Sequence, residues 1–442
     1  MISNSQLPEL AAYRRIERTL PFKESLEFGS LVVANGNEFR PIHRWFRFKE
    51  SFSADFLRQI VAGTSSRKPN LTILDPFCGV GTSLLSAQAL SSKELEISAI
   101  GIERNPFIAF VAHTKLMWRQ IDPVEMELLG NVILQEAATR DPDIPALSSL
   151  TSGRCMSRHI ARRLVAICDV VRERTSGAVQ DALLLGVASA IEPLSRVRKD
   201  GRALRIVDRP RQVVANVVAS KWRDITIDVV LGKETIKRAG DGRVLVGDGR
   251  LPSALGISDE SVDMVVTSPP YPNNIDYSEV YKLELWLLGF VSDGDEFLQL
   301  RKKTFRSHPS SDLVNISSAF LDEVKTGKLR AALRPILQRT REHKEAWRER
   351  LVLGYFSDLW TALHEQFRCL RKGGMAYLVL GNSLHGASDA PYLIPTDIIT
   401  GTMGECAGFE LERISIARSL KRRLSGNHFL RESVIVFKKR DG

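Results

Sequence analysis

Seven short apolar runs are spaced along the chain, and each ends near a polar residue or a glycine. They are residues 71–75, 97–103, 243–248, 262–267, 375–382, 409–417 and 432–439. Nearly continuous apolar runs of this length are typical of strands buried on both faces, as in a parallel sheet covered by helices. The segments between them, such as 82–92 and 356–374, carry apolar residues at helical spacing. The pattern predicts an α/β fold with a doubly wound, mostly parallel seven-stranded sheet, whose last two strands form an antiparallel pair at one edge.

Two long segments interrupt this alternation and divide the chain. Residues 121–240 are helix-prone and basic, with 13 Lys or Arg against 6 Asp or Glu between positions 154 and 211. Residues 291–349 are also helical and basic. We therefore predict a core made of three pieces with two helical inserts between them. The predicted units are an N-terminal segment 1–70 that packs on the ligand site, a core of 71–120, 241–290 and 350–442, and the inserts 121–240 and 291–349.

The overall charge favours a polyanionic partner. Lys and Arg number 62 against 52 Asp and Glu, a formal net charge of +10, and such an excess is most simply matched by a nucleic acid. The five cysteines are scattered without a C-x-x-C or Cys/His pattern, which predicts free thiols and no metal site. The N-terminus carries no apolar signal region and no apolar stretch is long enough to span a membrane. These features predict a cytoplasmic protein without a membrane partner.

The carboxyl ends of the first three predicted strands carry the residues expected of a nucleoside site. Asp75 ends the first run and is followed by P-F-C-G-V-G-T-S, in which Gly79 and Gly81 allow a tight turn and Thr82 and Ser83 can cap the next helix. Glu103 ends the second run, where a carboxylate can accept hydrogen bonds from both hydroxyls of a ribose. Asp248 ends the third run and is placed to receive an amino group from an adenine.

The same turn argues against a ligand with a pyrophosphate or triphosphate. It lacks the G-x-G-x-x-G spacing of dinucleotide-binding proteins and the lysine of a P-loop. The predicted ligand is a nucleoside with a different tail.

The fourth run, 262–267, stops at the sequence Thr-Ser-Pro-Pro-Tyr, residues 267–271. Two consecutive prolines remove two backbone donors and fix two φ angles, so a sheet ladder cannot continue through them. The loop is therefore stiff, and its carbonyls, hydroxyl and aromatic ring are held in place. Such a loop suits a site that binds a small planar polar group. A rigid turn at the end of a strand, with no functional role, is the other interpretation of the same sequence.

Together these motifs resemble the S-adenosylmethionine-dependent amino methyltransferases of DNA, which have a Rossmann-like fold and modify cytosine N4 or adenine N6. The resemblance rests on DPFCGVGT, GIE, GD and TSPPY in that order. It implies S-adenosyl-L-methionine as the cofactor. The cofactor-binding residues it implies are Phe52, Asp75, Phe77, Gly79, Gly81, Thr82, Glu103 and Asp248. The catalytic residues it implies are Ser268, Pro269, Pro270 and Tyr271.

The resemblance also gives the catalytic loop a physical task. Ser268 and the carbonyl of Pro269 would accept the two hydrogens of an exocyclic amino group, so that its lone pair is freed for methyl transfer. Tyr271 would stack on a base extruded from the duplex. S-P-P-Y accompanies cytosine N4 activity most often in this family. Three alternatives stay open: adenine N6 methylation, methylation of an RNA amino group, and a nucleic-acid-binding protein that has lost turnover.

The large insert is the predicted contact for double-stranded DNA. Its basic stretch 195–212 offers five cationic side chains for phosphates or base edges. They are Arg196, Arg198, Lys199, Arg202 and Arg205. A cognate restriction endonuclease, or another defence component, is a further possible partner of such an enzyme.

Overall fold

The computed structural model describes residues 7–63, 68–200, 203–236, 240–342, 345–386, 391–420 and 428–441. The strands are β1 Phe22–Glu24, β2 Asn70–Asp75, β3 Glu96–Glu103, β4 Val197–Asp200, β5 Ala203–Ile206, β6 Asp241–Val246, β7 Val262–Thr267, β8 Leu370–Gly381, β9 Ser383–His385, β10 Tyr392–Ile394, β11 Glu410–Ser419 and β12 Arg431–Lys438. The helices of the first half are α1 Leu10–Glu17, α2 Asp55–Gly63, α3 Thr82–Leu90, α4 Pro106–Leu116, α5 Pro123–Ala138, α6 Ser148–Thr151, α7 Arg158–Arg174, α8 Gly177–Leu194 and α9 Val214–Thr235. Those of the second half are α10 Tyr277–Val280, α11 Lys282–Leu287, α12 Gly294–Lys302, α13 Ser318–Thr326, α14 Leu329–Arg341, α15 Trp347–Cys369 and α16 Thr396–Cys406.

The central sheet has eight strands in the order β1, β11, β12, β8, β7, β2, β3, β6. Strands β8, β7, β2, β3 and β6 are mutually parallel. β12 lies antiparallel between β8 and β11. The predicted doubly wound, mostly parallel Rossmann-like fold is confirmed, and all seven predicted runs form strands of this sheet. The eighth strand is the short β1, which pairs parallel to the edge strand β11.

Successive apolar residues of the inner strands face opposite sides of the sheet. Val265 of β7 belongs to the core formed with α14, α15 and α16, whereas the next residue, Val266, belongs to the core formed with α2 and α3. Leu378 and Val379 of β8 divide in the same way. This is the burial expected of parallel strands covered by helices on both faces.

The first insert folds as a helical bundle whose core is continuous with that of α4, α11 and the segment around Trp45. Helices α5, α7, α8 and α9 pack around Trp222, whose indole donates a hydrogen bond to the carbonyl of Leu183. A two-stranded antiparallel hairpin, β4 with β5, extends from the end of α8. Among the described helices, α8 has the length and apolar composition of a membrane span, but most of its side chains are buried in this bundle.

Candidate active site

The loop after β2 has the backbone that its glycines permit. Gly79 and Gly81 have φ of 52° and 78°, in the left-handed region that glycine adopts without steric cost. A Cβ at Gly81 would approach the Cβ of Ala112 to 3.1 Å, so the loop also packs closely on α4. The expectation that Thr82 or the next residue caps α3 is wrong, since Gly81 is the N-cap and no side chain caps this end. The hydroxyl of Thr82 instead lies 2.8 Å from that of Ser51.

Asp75 joins this loop to the end of β7. Its carboxylate accepts hydrogen bonds from Ser83 Oγ at 2.5 Å, Thr267 Oγ1 at 2.8 Å and the backbone N–H of Phe77 at 3.2 Å. Burial raises the pKa of Asp75 to about 6, although these three donors oppose the shift. Because Thr267 immediately precedes Ser268, one buried carboxylate fixes the relative position of the two loops.

A cavity lies where the two loops meet, at the carboxyl ends of β2, β3 and β7. The predicted cofactor residues on its wall are Phe52, Asp75, Phe77, Gly79, Thr82, Glu103 and Asp248. Of the predicted catalytic residues, Ser268 and Pro270 line the same cavity. Gly81, Pro269 and Tyr271 do not line it.

Glu103, the last residue of β3, presents a carboxylate that forms no ion pair with a cation among the residues that the structure describes. It accepts a hydrogen bond from the backbone N–H of Asn105 at 2.7 Å. Burial raises its pKa to about 7, against the opposing effect of nearby backbone N–H groups. A buried carboxylate in a ligand cavity is stabilised by donors that a ligand brings. The two hydroxyls of a ribose are such donors, so the cavity fits the predicted ligand here.

Asp248 lies two residues beyond the end of β6, and its carboxylate is already bonded. Arg250 donates to both of its oxygens, at 2.6 to 3.1 Å, and Arg104 lies 2.9 Å from Oδ2. Burial raises the pKa of Asp248, but the hydrogen bonds and charges of the two arginines outweigh it and hold the pKa below its ordinary value. An adenine amino group would therefore share this carboxylate with two guanidinium groups.

The strand ahead of the two prolines is fully buried and ends at Thr267, where the sequence predicts that it stops. Ser268 Oγ donates to the carbonyl of Val379 on the neighbouring strand β8 at 3.3 Å, with Tyr271 Oη 3.5 Å away. Because the hydroxyl hydrogen is donated within the fold, to Val379 or to Tyr271, the lone pairs of Ser268 Oγ are left as acceptors at the cavity. The hydroxyl is thus held as an acceptor for a ligand donor.

The position of Tyr271 differs from the predicted stacking role. Its ring packs toward β8, where a Cβ at Gly381 would lie 2.8 Å from it, and it belongs to the periphery of the buried cluster on that face. The aromatic residues at the cavity wall are instead Phe48 and Tyr277, whose rings are stacked with centroids 6.4 Å apart, together with Phe52, Phe77 and Phe305. Stacking of a base on Tyr271 therefore requires a movement of the ring, whereas Tyr277 already lines the cavity.

One wall of the cavity comes from the second insert, where no sequence motif indicates a site. Thr304, Phe305, Ser307 and His308 line it. The backbone N–H of Asn274 donates to the carbonyl of Ser307 at 3.0 Å, and Arg301 donates to Asp276 at 2.7 Å. These bonds attach residues 301–308 to the segment that follows the two prolines.

The basic hairpin of the first insert presents only part of its predicted cationic set. Arg196 and Arg198 are exposed, with no ion pair to the described acids, and Arg205 is exposed opposite Arg198 in the hairpin register. Arg202 lies outside the described residues. Lys199 is buried, forms an ion pair with the buried Glu284, and its ammonium lies 4.3 Å from the ring centroid of Tyr281. Predicting Lys199 as a DNA contact is wrong for this reason, because its charge is neutralised inside the fold.

We expect Lys199→Met to lower the free energy of unfolding by about 3 kcal/mol, because it leaves the buried carboxylate of Glu284 unpaired. Chemical denaturation measures this loss. The double variant Lys199→Met, Glu284→Leu should recover much of the stability. A single variant as stable as the wild-type protein would contradict the buried ion pair.

No cluster of His, Cys, Asp and Glu that could hold a metal ion occurs among the residues that the structure describes. The described cysteines are free thiols. Four of them are buried, namely Cys78, Cys155, Cys168 and Cys369, and Cys406 is partly exposed. Cys78 lines the cavity, but burial raises its pKa well above the ordinary value. It therefore has the character of a packing residue and not of a nucleophile.

The chain is similar in sequence to known proteins over almost its whole length. The type II methyltransferase M.AvaI of Nostoc sp. is 27% identical over 97% of this chain and 92% of its own length. The type II methyltransferase M.BsoBI of Geobacillus stearothermophilus is 25% identical over 92% of this chain and 88% of its own. The chain is a relative of the type II methyltransferases. These relatives support the resemblance to the DNA methyltransferases, and S-adenosyl-L-methionine is the cofactor that the comparisons support.

Other comparisons add less. No family model matches the chain. The rRNA methyltransferase aviRa from Streptomyces viridochromogenes is 10% identical, with a TM-score of 0.30 over 90% of this chain and 85% of that protein. An S-adenosylmethionine-dependent methyltransferase from Methanosarcina mazei is 11% identical, with a TM-score of 0.28 over 86% of this chain and 97% of that one. The fold is assigned from the strand order of the central sheet.

Proposed function

We propose that this protein methylates an exocyclic amino group in DNA, namely N4 of cytosine, by direct transfer from S-adenosyl-L-methionine to a base extruded from the duplex. The observation that carries the proposal is the single cavity that the loop after β2 and the loop after β7 share. A cofactor on the first loop and an amino group on the second would lie in one enclosed space. The relationship to type II methyltransferases supports DNA as the substrate.

The chain's own residues are suited to hold the cofactor. When bound, S-adenosyl-L-methionine supplies an electrophilic methyl group on a sulfonium. Glu103 would accept hydrogen bonds from the ribose, and Phe77 provides an apolar surface in the same cavity. Gly79 lets the backbone of the loop approach the ligand closely. Asp248 would contribute to adenine recognition alongside Arg104 and Arg250.

The catalytic loop would prepare the target amino group. An exocyclic amino nitrogen is a weak nucleophile because its lone pair is delocalised into the ring. Ser268 Oγ would accept one of its hydrogens and, after a movement of the loop that brings it to the cavity, the carbonyl of Pro269 would accept the other, which favours a pyramidal nitrogen. The donation from Ser268 to Val379 supports this role because it turns the serine into an acceptor. Tyr277 and Phe48, and Tyr271 after a rotation of its ring, would hold the base by stacking.

We propose cytosine as the target base, and not adenine, because the residue before Pro-Pro-Tyr is Ser268. Serine before Pro-Pro-Tyr accompanies cytosine N4 activity in the family that the sequence resembles, whereas Asn or Asp at this place accompanies adenine N6 activity. Single-molecule sequencing of DNA from cells that express the gene reports the modified base and its context together. We expect N4-methylcytosine at one short motif. N6-methyladenine would reassign the base, and unmodified DNA would contradict the proposal. A cognate restriction endonuclease and a cytoplasmic location stay predictions from the sequence.

The exposed arginines of the hairpin should carry part of the contact with DNA. We expect the double variant Arg196→Ala, Arg198→Ala to bind a DNA duplex more weakly, because two cations that face solvent are lost. The slope of log affinity against log salt concentration should fall by about 0.9 for each phosphate contact removed. Fluorescence anisotropy at several salt concentrations measures both quantities.

A matched pair in the second insert serves as the control. Arg330 and Arg334 are exposed on α14, so the double variant Arg330→Ala, Arg334→Ala removes the same charge elsewhere. We expect it to leave the slope unchanged. A smaller slope in the α14 variant and an unchanged one in the hairpin variant would move DNA recognition to the second insert.

A further inference from the structure

Residues 46–50, Phe-Arg-Phe-Lys-Glu, alternate between the inside of the fold and its surface. Phe46 is buried and Phe48 half-buried, whereas Arg47 and Lys49 between them are exposed. The backbone leaves the preceding 3₁₀ turn at Phe46 with an extended conformation, in which successive side chains point to opposite sides. One side of this segment is therefore aromatic and the other basic.

The aromatic side forms part of the cavity described above. Phe48 lines it and stacks on Tyr281 with ring centroids 5.6 Å apart. Ser51 and Phe52 continue the same wall. The segment is thus fixed in place by packing, which holds Arg47 and Lys49 at a defined position next to the cavity.

The basic side faces a second cavity, which shares the wall formed by Phe48, Ser51, Val80 and Thr82 with the first. Arg47, Lys49 and Lys115 line this second cavity, and Glu38 is the acid on its wall. Lys115 is buried beneath it, where its ammonium donates to the carbonyls of His43 at 3.0 Å and Phe46 at 3.4 Å. Burial lowers the pKa of Lys115 to about 7, so the positive charge at this cavity comes mainly from Arg47 and Lys49.

The neighbouring Arg44 differs from Arg47 because it is paired within the fold. Its guanidinium is bonded to the buried carboxylate of Asp228, at 2.7 and 2.9 Å, and therefore acts within the fold. Arg47 has no ion pair or side-chain hydrogen bond to any residue that the structure describes. An exposed, unpaired arginine on a rigid segment is suited to bind an external anion.

Lys49 connects this segment to the basic hairpin. Its ammonium donates to the carbonyl of Lys199 in β4 at 2.6 Å, and Arg196 and Arg198 are exposed on the same part of the chain. The basic surfaces of the N-terminal segment and of the first insert are therefore adjacent. An extended polyanion could contact both.

We propose that Arg47 and Lys49, with Lys115 beneath them, bind a phosphate of the DNA backbone next to the target nucleotide. The inference rests on the proposed function and adds a second task to the N-terminal segment, which would hold a wall of the base pocket and the DNA backbone at the same time. Such a site binds an oxyanion. The oxyanion is either a phosphate of DNA or the carboxylate of the cofactor's amino-acid tail. DNA phosphate is favoured because Arg47 and Lys49 face solvent and adjoin the hairpin.

The test compares Arg47→Gln with Lys93→Gln, each measured with a short DNA duplex of mixed sequence. Lys93 is exposed ahead of β3, at the amino ends of the parallel strands and so at the edge opposite the cavity. Affinity is followed by fluorescence anisotropy over a range of salt concentrations, and cofactor affinity by calorimetry. We expect the salt slope to fall by about 0.9 in Arg47→Gln and to stay unchanged in Lys93→Gln. Cofactor affinity should be the same in both, and Lys49→Gln should resemble Arg47→Gln.

Two results would overturn the inference. One is a salt slope that is the same in Arg47→Gln and wild type. The other is a loss of cofactor affinity in Arg47→Gln without a change in the salt slope, which would assign the site to the cofactor's carboxylate. Neither measurement depends on methyl transfer, so a fall in slope would sustain the phosphate site even if no methylated base were found.

Discussion

Replacing Ser268 by Ala is expected to slow methyl transfer by about 10²-fold while the affinity for S-adenosyl-L-methionine stays within a factor of two or three. In the proposed mechanism Ser268 Oγ accepts a hydrogen of the target amino group, and one oriented polar contact at the reacting centre contributes about 10²-fold or more to the rate. Within the fold the hydroxyl makes two long contacts, with the carbonyl of Val379 at 3.3 Å and with Tyr271 Oη at 3.5 Å, so the fold should tolerate its loss. Single-turnover transfer of a labelled methyl group to DNA measures the rate, and calorimetry measures cofactor binding.

A serine at the other end of the same strand gives the matched control. Ser261 immediately precedes β7, and its hydroxyl bonds to the carbonyl of Ser258. We expect Ser261→Ala to transfer methyl groups at the wild-type rate. Equal rates for Ser268→Ala and Ser261→Ala would show that Ser268 does not act on the amino group.

Replacing Glu103 by Gln is expected to weaken cofactor binding by about 10- to 100-fold, which corresponds to the loss of hydrogen bonds to a charged acceptor. The amide keeps the size of the side chain but offers a single acceptor oxygen to the two ribose hydroxyls. Calorimetric titration with S-adenosyl-L-methionine measures the loss. Glu96→Gln changes the same residue type at the exposed amino end of β3 and should bind the cofactor as the wild-type protein does.

The pH dependence of cofactor binding should also change in Glu103→Gln. Burial raises the pKa of Glu103 in the free protein to about 7, so the carboxyl is mostly protonated below this pH. Ribose hydroxyls bond best to the ionised form, and binding below pH 7 must therefore release a proton. Wild-type affinity should be greatest above about pH 7 and fall by at most about tenfold per pH unit below it. A dependence that persists in Glu103→Gln would assign the titration to another group.

The sheet could be predicted from the sequence because its strands are buried on both faces. An apolar run such as 262–267 predicts an inner strand, and β7 begins and ends at these residues. Edge strands carry a weaker pattern. β1 has three residues, none of them fully buried, so no apolar run marks it and the eighth strand was not predicted.

The site could be predicted as far as it lies at strand ends. Asp75, Glu103 and Ser268 each lie at or immediately after the last residue of a parallel strand, and topology brings such residues to one edge. The wall formed by Thr304 and His308 comes from an insert whose charge pattern resembles a solvated helix. Its place at the cavity depends on tertiary packing, which a sequence pattern does not contain.

Lys199 shows what the sequence does not predict about the basic hairpin. A run of cations predicts a charged surface but not which member points inward. In a hairpin, alternate residues face opposite sides, so Lys199 turns towards Tyr281 and Glu284 while Arg198 beside it stays exposed. The basic hairpin therefore offers fewer phosphate contacts than its sequence indicates, and the N-terminal segment supplies the proposed remainder.

The most direct test of the proposed function is nucleoside analysis of DNA methylated by the purified protein. Duplex DNA of mixed sequence is incubated with S-adenosyl-L-methionine that carries a deuterated methyl group, digested to nucleosides and analysed by mass spectrometry, with RNA treated in parallel. We predict deuterated N4-methylcytosine from DNA, its near absence with Ser268→Ala, and no labelled nucleoside from RNA. Label in RNA alone, or no label in DNA from a protein that binds the cofactor, would contradict the proposal that this protein methylates amino groups in DNA.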